Sequence, residues 1–278
     1  MKRCILKIVA IGFALVSGFP AATSVQASTV NVSFEPGAVT FQGDYLSANG
    51  VVGCDMVAVE NYYGWWKFTA GPNTDFLPPG YSKPIKTMYI SPVWHQVGDL
   101  TINLPGPGSS VILLDVSIPY NLNVSTGDKS GGIAVIGCDV GDSLHIKAFT
   151  DESLFVPGHT EQVTVWDTVV QNDVTIEGAP GDDVIWLGRI TADRFEVATN
   201  GGHNSIHCTS QIDVTEFMVD AGVAYGAVTE AELRYVKAGK LILDGALTDG
   251  GNDDRLYGFG TDADFQHTGF ENTYYLPE

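Results

Sequence analysis

Between Leu100 and Leu241 an apolar-polar-apolar phrase begins seven times: Leu100-Thr101-Ile102, Leu122-Asn123-Val124, Leu144-His145-Ile146, Val174-Thr175-Ile176, Phe195-Glu196-Val197, Phe217-Met218-Val219 and Leu241-Ile242-Leu243. Successive starts lie 22, 22, 30, 21, 22 and 24 residues apart. A second phrase sits inside most repeats, at Val111, Ile133, Val163, Val184 and Ile206, each 11 residues before the next start. Alternation over three to five residues, with Gly, Asp, Asn and Pro between, is the period of half-buried strands joined by turns. No stretch keeps helical periodicity.

Short strands at a fixed period of about 22 residues imply a stack of coils in which each repeat buries its inner face only against its neighbours. The expected architecture is all-β: a single-stranded parallel β-helix of about seven 22-residue coils over residues 100 to 265, roughly 34 Å long at about 4.8 Å per rung. The 30-residue spacing predicts an eight-residue excursion from the third coil, between Ala148 and Glu161.

Residues 28 to 99 have a different texture. Short strand pairs such as Val30 to Phe34 and Ala38 to Gln42 lead into Tyr62-Tyr63-Gly64-Trp65-Trp66 and a Pro-rich stretch from Pro72 to Pro92. An open stack presents an unpaired edge, so this region is expected to be an irregular β cap, with the aromatic cluster packed over the first coil. Residues 266 to 278, with Tyr274 and Tyr275, are expected to close the other end.

Met1-Lys2-Arg3, an apolar run from Ile8 to Val16 and the small-residue site Val25-Gln26-Ala27 form the three parts of a secretory signal peptide cut after Ala27. The expected location is therefore the periplasm, the cell surface or the exterior. The run is too short to span a bilayer. Cleavage would leave 11 basic against 33 acidic residues, a balance of −22 that disfavours nucleic acid and anionic membranes as partners. The remaining Cys54, Cys138 and Cys208 make no disulfide framework, and buried thiols are expected.

The chemistry-bearing motifs lie in the turns. Gly178-Ala179-Pro180-Gly181-Asp182-Asp183-Val184-Ile185-Trp186 resembles the G-G-x-G-x-D-x-U-x nonapeptide of hemolysin-type calcium-binding repeats, and Asp249-Gly250-Gly251-Asn252-Asp253-Asp254-Arg255-Leu256 resembles it more distantly. The resemblance implies loose Ca²⁺ binding by Asp182, Asp183, Asp249, Asp253 and Asp254, whose carboxylates are the hard oxygens calcium takes. The two copies lie three coils apart, whereas that family holds each ion between consecutive copies. Residues 28 to 278 as a whole resemble secreted bacterial right-handed β-helix proteins. That likeness implies the architecture and not the activity; the expected role is a non-enzymatic scaffold of the cell surface or extracellular matrix, with polysaccharide as a candidate partner.

An alternative rests on a weaker resemblance to the polygalacturonases. His159-Thr160-Glu161, Gly181-Asp182-Asp183, Gly202-His203-Asn204 and Arg234-Tyr235-Val236-Lys237 are similar to that family's N-T-D, G-D-D, G-H-G and R-x-K motifs at one-coil spacing. This implies an inverting glycoside hydrolase with Glu161, Asp182, Asp183 and His203 on one face, an acid and a base roughly 6.5 to 9.5 Å apart. Each motif departs from the family's by at least one residue, except Gly181-Asp182-Asp183. His145 and His207 alternate with apolar residues and are expected to point outward.

Overall fold

The structure, a computed structural model, describes residues 28–44, 55–127, 131–148, 160–220 and 228–244, and the backbone of the strands Arg255–Phe259, Asp262–Thr268 and Asn272–Leu276. The expected signal peptide, Cys54, the stretch of the expected excursion from 149 to 159 and the segment from Asp249 to Asp254 lie outside them. All regular elements among the described residues are strands, and hydrogen bonding joins them into one sheet system. The all-β expectation is met.

The apolar phrases pair with one another in parallel. Leu100, Leu122, Leu144, Val174, Phe195, Phe217 and Leu241 lie side by side on successive strands, and so do the residues two positions on, Ile102 to Leu243. Every member of both rows is buried. The second phrases form a second parallel ladder in which Val57, Val111, Ile133, Val163, Ile185, Ile206 and Ala231 are neighbours. The chain thus alternates between two ladders, and aliphatic side chains one residue apart from polar ones fill the space between them.

Three features depart from the periodicity. Ile185, not Val184, takes the inward place on its strand. The half-turn there is ten residues, and a slip of one residue exchanges the two faces of a strand. Secondly, a third ladder starts with the two-residue strands Ser117–Ile118 and Asp139–Val140 and continues through Val169-Val170, Thr191-Ala192 and Asp213-Val214 to Lys237-Ala238, which are parts of longer strands. In five of its six repeats it is divided from the second ladder by one residue in the left-handed region, Asp115, Gly137, Asp167, Arg189 or Tyr235, and the turn before Ile212 has none. Two-residue strands carry too little alternation to be seen in a sequence, and only Gly137 of those five advertises such a corner. Across it Arg189 and Asp167 form an ion pair of 3.0 Å.

Thirdly, the N-terminal region is more than a cover. Ala38–Gln42 and Met56–Tyr62 each supply one further parallel rung, against Asp99–Leu104 and Ser110–Leu114. Antiparallel hairpins are folded onto those rungs, Ser28–Glu35 on Ala38–Gln42 and Trp65–Ala70 on Met56–Tyr62. Phe41, Phe68 and Phe76 pack together there, with ring centroids 4.2 and 5.5 Å apart. At the opposite end Asp262–Thr268 and Asn272–Leu276 continue the parallel pairing.

Candidate functional site

The residue that opens each strand of the second ladder sits at a common register: Asp55, Ser109, Gly131, Glu161, Asp183, Asn204 and Thr229. Apart from the glycine these are polar, and all six are buried, Glu161 at 2% and Asp183 at 1% exposure. They meet the residues that follow the first-ladder strands. A Cβ on Gly43 would stand 2.5 Å from Oδ2 of Asp55, and one on Gly178 would stand 2.3 Å from Oδ2 of Asp183. Opposite each buried aspartate the chain therefore leaves out a side chain. One corner of the interior is polar where the rest is aliphatic.

Hydrogen bonds run along this corner. Ser28 Oγ donates to Asp55 Oδ1, and the Asp55 amide donates to Ser109 Oγ at 3.1 Å. The Gly131 amide donates to Glu161 Oε1 at 3.1 Å, and the Asp183 amide donates to Asn204 Oδ1 at 3.0 Å. Asn204 Nδ2 in turn donates to the Gly201 carbonyl at 2.8 Å, while Thr199 and Thr229 join hydroxyls at 3.3 Å.

The Asp183 carboxylate is the exception. Neither oxygen has a hydrogen-bond partner of ordinary geometry among the described residues, although the Ala179 amide lies close enough to favour its charge. Burial pushes its pKa well above the usual carboxylate range, and the negative charge of Glu161 on the next rung pushes it further. Burial also raises Asp55, against the opposing hydrogen bond from Ser28.

Glu161 and Asp183 are thus adjacent rungs, as their one-coil spacing implies, but both point into the interior. Asp182 and His203 do not join them. Successive strand residues face opposite ways, so Asp182 turns outward, and its Oδ1 accepts from the His203 amide at 2.8 Å beside an exposed imidazole. Arg234 is bound to Glu232, and Lys237 lies 3.6 Å from Asp213 on a different ladder. Since Asp182 and Asp183 diverge, they cannot chelate one ion together. Among the described residues no three His, Cys, Asp or Glu side chains gather in a way that holds a metal. Asp249, Asp253 and Asp254 lie outside the described residues.

Other expected residues fall as follows. His145 and His207 are partly exposed, and His207 stacks on Trp186 at 4.3 Å and reaches Glu232 at 3.4 Å. Cys138 and Cys208 are buried free thiols. Burial pushes Cys138 up to about 12 and raises Cys208 as well, so neither is an available nucleophile.

A second feature was hidden from the sequence. The aromatic cluster divides: Trp66 is buried and donates from Nε1 to the Ser117 carbonyl at 2.9 Å, while Tyr63 is 90% and Trp94 79% exposed. Under the tip of the Met56–Ala70 hairpin lies an open groove of about 530 Å³. The hairpin lines it with Asn61, Gly64 and Trp66, and the segment Pro92 to Gly98 forms the opposite wall. Ser117, Pro119 and Tyr120 make its floor. The Tyr120 ring lies so close to Gly98 that a Cβ there would come within 1.9 Å of it. The only sequence signal was the density of rings; which of them pack and which remain exposed follows from pairings between strands distant in sequence.

No protein-family model, curated protein or solved structure matches the chain.

Proposed function

We propose that this chain is a secreted, non-enzymatic scaffold that winds as a right-handed parallel β-helix and engages polysaccharide on its outer surface without cutting it. The parallel registers at about 22-residue spacing support the winding, and a right-handed crossover is the hand that parallel connections almost always take. The Met1 to Ala27 pattern supports export, and an acidic surface suits a neutral partner better than an anionic one.

One observation carries the choice of scaffold over hydrolase. General acid and base groups must reach the scissile bond within hydrogen-bond distance, directly or through one water. Glu161 and Asp183 are enclosed in the interior, and Asp182 and His203 lie on the other side of the strand. Loose Ca²⁺ binding would draw on Asp182 and Asp183, which face opposite sides of their strand, and on Asp249, Asp253 and Asp254, which lie outside the described residues.

The test is an assay of the purified chain without residues 1 to 27 against acidic and neutral polysaccharides, with Asp182→Asn and Asp183→Asn beside it. No reducing ends are expected from any sample. Their release by the unsubstituted chain and loss in either variant would overturn the proposal in favour of an inverting hydrolase.

A further inference from the structure

The polar corner holds a carboxylate whose charge the described residues do not balance. We propose that Glu161 and Asp183, on adjacent rungs of the second ladder, together hold one calcium ion inside the fold.

The first argument is the bare carboxylate. Asp183 is 1% exposed, and neither of its oxygens accepts a hydrogen bond of ordinary geometry among the described residues. The charged groups that act on it are Glu161 on the next rung and Asp182 beside it in the chain, both negative. A charge taken out of water is paired or bound to a metal, and an unsatisfied buried group marks the place of an ion or a water. A proton shared with Glu161 would satisfy one oxygen of Asp183 and leave the other bare. An ion bound by both oxygens satisfies the two at once.

The second argument is the company the carboxylates keep. A Cβ on Gly131 would stand 3.1 Å from Oε2 of Glu161 and 2.3 Å from the Ser109 carbonyl oxygen. One on Gly178 would stand 2.3 Å from Oδ2 of Asp183 and 3.3 Å from the Ala198 carbonyl oxygen. Each of the two glycines thus lets a carboxylate and a backbone carbonyl come close together. Hard oxygens select a hard cation, and two negative charges select a divalent one. With two carboxylates in the corner, backbone carbonyls and water would complete the ion's shell. Calcium accepts such an irregular set, whereas magnesium demands near-ideal octahedral geometry and sheds its waters reluctantly.

This site differs from the chelation by turn residues that the likeness to hemolysin-type repeats implies. Its second carboxylate is Glu161 of the preceding coil, and Asp182, on the other face of the strand, takes no part. Nor does it depend on the scaffold reading, since a hydrolase of this fold would hold the same ion.

Thermal melts and calorimetric titration of the chain without residues 1 to 27 test this, with Glu161→Gln, Asp183→Asn and Asp182→Asn beside it. Calcium at about 10 mM should raise the Tm of the unsubstituted chain by roughly 3 to 10 °C over its value in EDTA, as expected for a Kd on the order of 0.1 to 1 mM. Glu161→Gln and Asp183→Asn should each weaken calcium binding roughly tenfold or more, and Asp182→Asn by less than about twofold. In EDTA the Asp183→Asn variant should melt no lower than the unsubstituted chain, and in calcium it should melt below it. Lost packing would not produce that reversal. Calcium bound elsewhere, including by the segment from Asp249 to Asp254, persists in all three variants and drops out of the comparison. The absence of a calcium shift, a shift that survives either Glu161→Gln or Asp183→Asn, one lost as fully in Asp182→Asn, or a larger shift with magnesium than with calcium would overturn the assignment.

Discussion

The N-terminal hairpins and the repeating body both break the usual partition of polar and apolar groups, in opposite directions. At the hairpins, rings stand in water: Tyr63, Trp94 and Tyr120. In the body, carboxylates lie in the interior: Glu161 and Asp183, with Asp55 where the two regions meet. The body's departure is balanced in part from inside the fold, by hydrogen bonds to Glu161 and Asp55 and by the absent side chains of Gly43 and Gly178, while the Asp183 carboxylate keeps no hydrogen bond of ordinary geometry among the described residues. At the hairpins Tyr63 and Trp94 pack on Tyr62 and Trp65 yet stay largely exposed among the described residues. Buried polar groups matched by neighbours belong to the architecture, whereas largely exposed rings add little to it.

Substitutions can break or sharpen that contrast. The largest effect should come from the aliphatic and aromatic interior, where Phe217 is fully buried and stacks on Phe195 at 5.3 Å. Phe217→Ala should cost about 3 to 5 kcal/mol in urea denaturation, whereas Trp94→Ala should change stability by less than about 0.5 kcal/mol. Comparable losses in the two variants would mean that the exposed rings are structural after all.

Next comes the polar corner. Gly178→Ala puts a methyl 2.3 Å from the Asp183 carboxylate and should cost roughly 1 to 3 kcal/mol. Much of that loss should vanish in an Asp183→Ala background, and strict additivity of the two changes would show that they do not face each other.

Asp183→Asn should act through pH. In the unfolded chain the carboxyl ionises near its usual 3.8, while in the fold it holds its proton to higher pH. The folded state then binds more protons, so stability is greatest below about 3.8 and falls as pH rises through the folded value. Removing the charge should flatten that decline and stabilise the neutral-pH protein in EDTA by on the order of 1 kcal/mol. Asp55, raised in the same direction, leaves a residual slope. A variant less stable than the unsubstituted chain at neutral pH would show that the carboxylate is ionised and satisfied.

The smallest effect should be Tyr63→Asn, which replaces a strained residue by the one its turn favours. It should raise stability by up to about 1 kcal/mol in urea denaturation, and a loss of stability instead would show that the contact of the Tyr63 ring with Tyr62 outweighs the strain.

The periodic part of this protein was legible because it is local. A strand with one buried face writes its period into the chain, and 22-residue recurrence can be satisfied only by neighbours in parallel, so the alignment of Leu100, Leu122 and Leu144 follows from their spacing. The acidic residues of the turns were legible too, and so was the adjacency of Glu161 and Asp183. Which way they point was not. The inward place of Ile185 rather than Val184 turns Asp183 into the interior and leaves Asp182 outside, and a ten-residue half-turn gives no local sign of that choice.

The left-handed corners at Arg189 and Tyr235 were equally silent, because residues of those types do not announce a positive φ, and the third ladder that such corners delimit begins with strands of only two residues. The groove was decided last. Tyr62 to Trp66 and Pro92 to Gly98 hold no common pattern, and they meet because Trp65–Ala70 pairs with both Met56–Tyr62 and Thr87–Ile90 while Met56–Tyr62 pairs with Ser110–Leu114. Sequence by itself determined the repeat, the strands and the apolar rows, since burial of one strand face is a short-range constraint. Tertiary structure decided the direction of each turn residue and the exposure of each ring, since both depend on which distant strand arrives alongside.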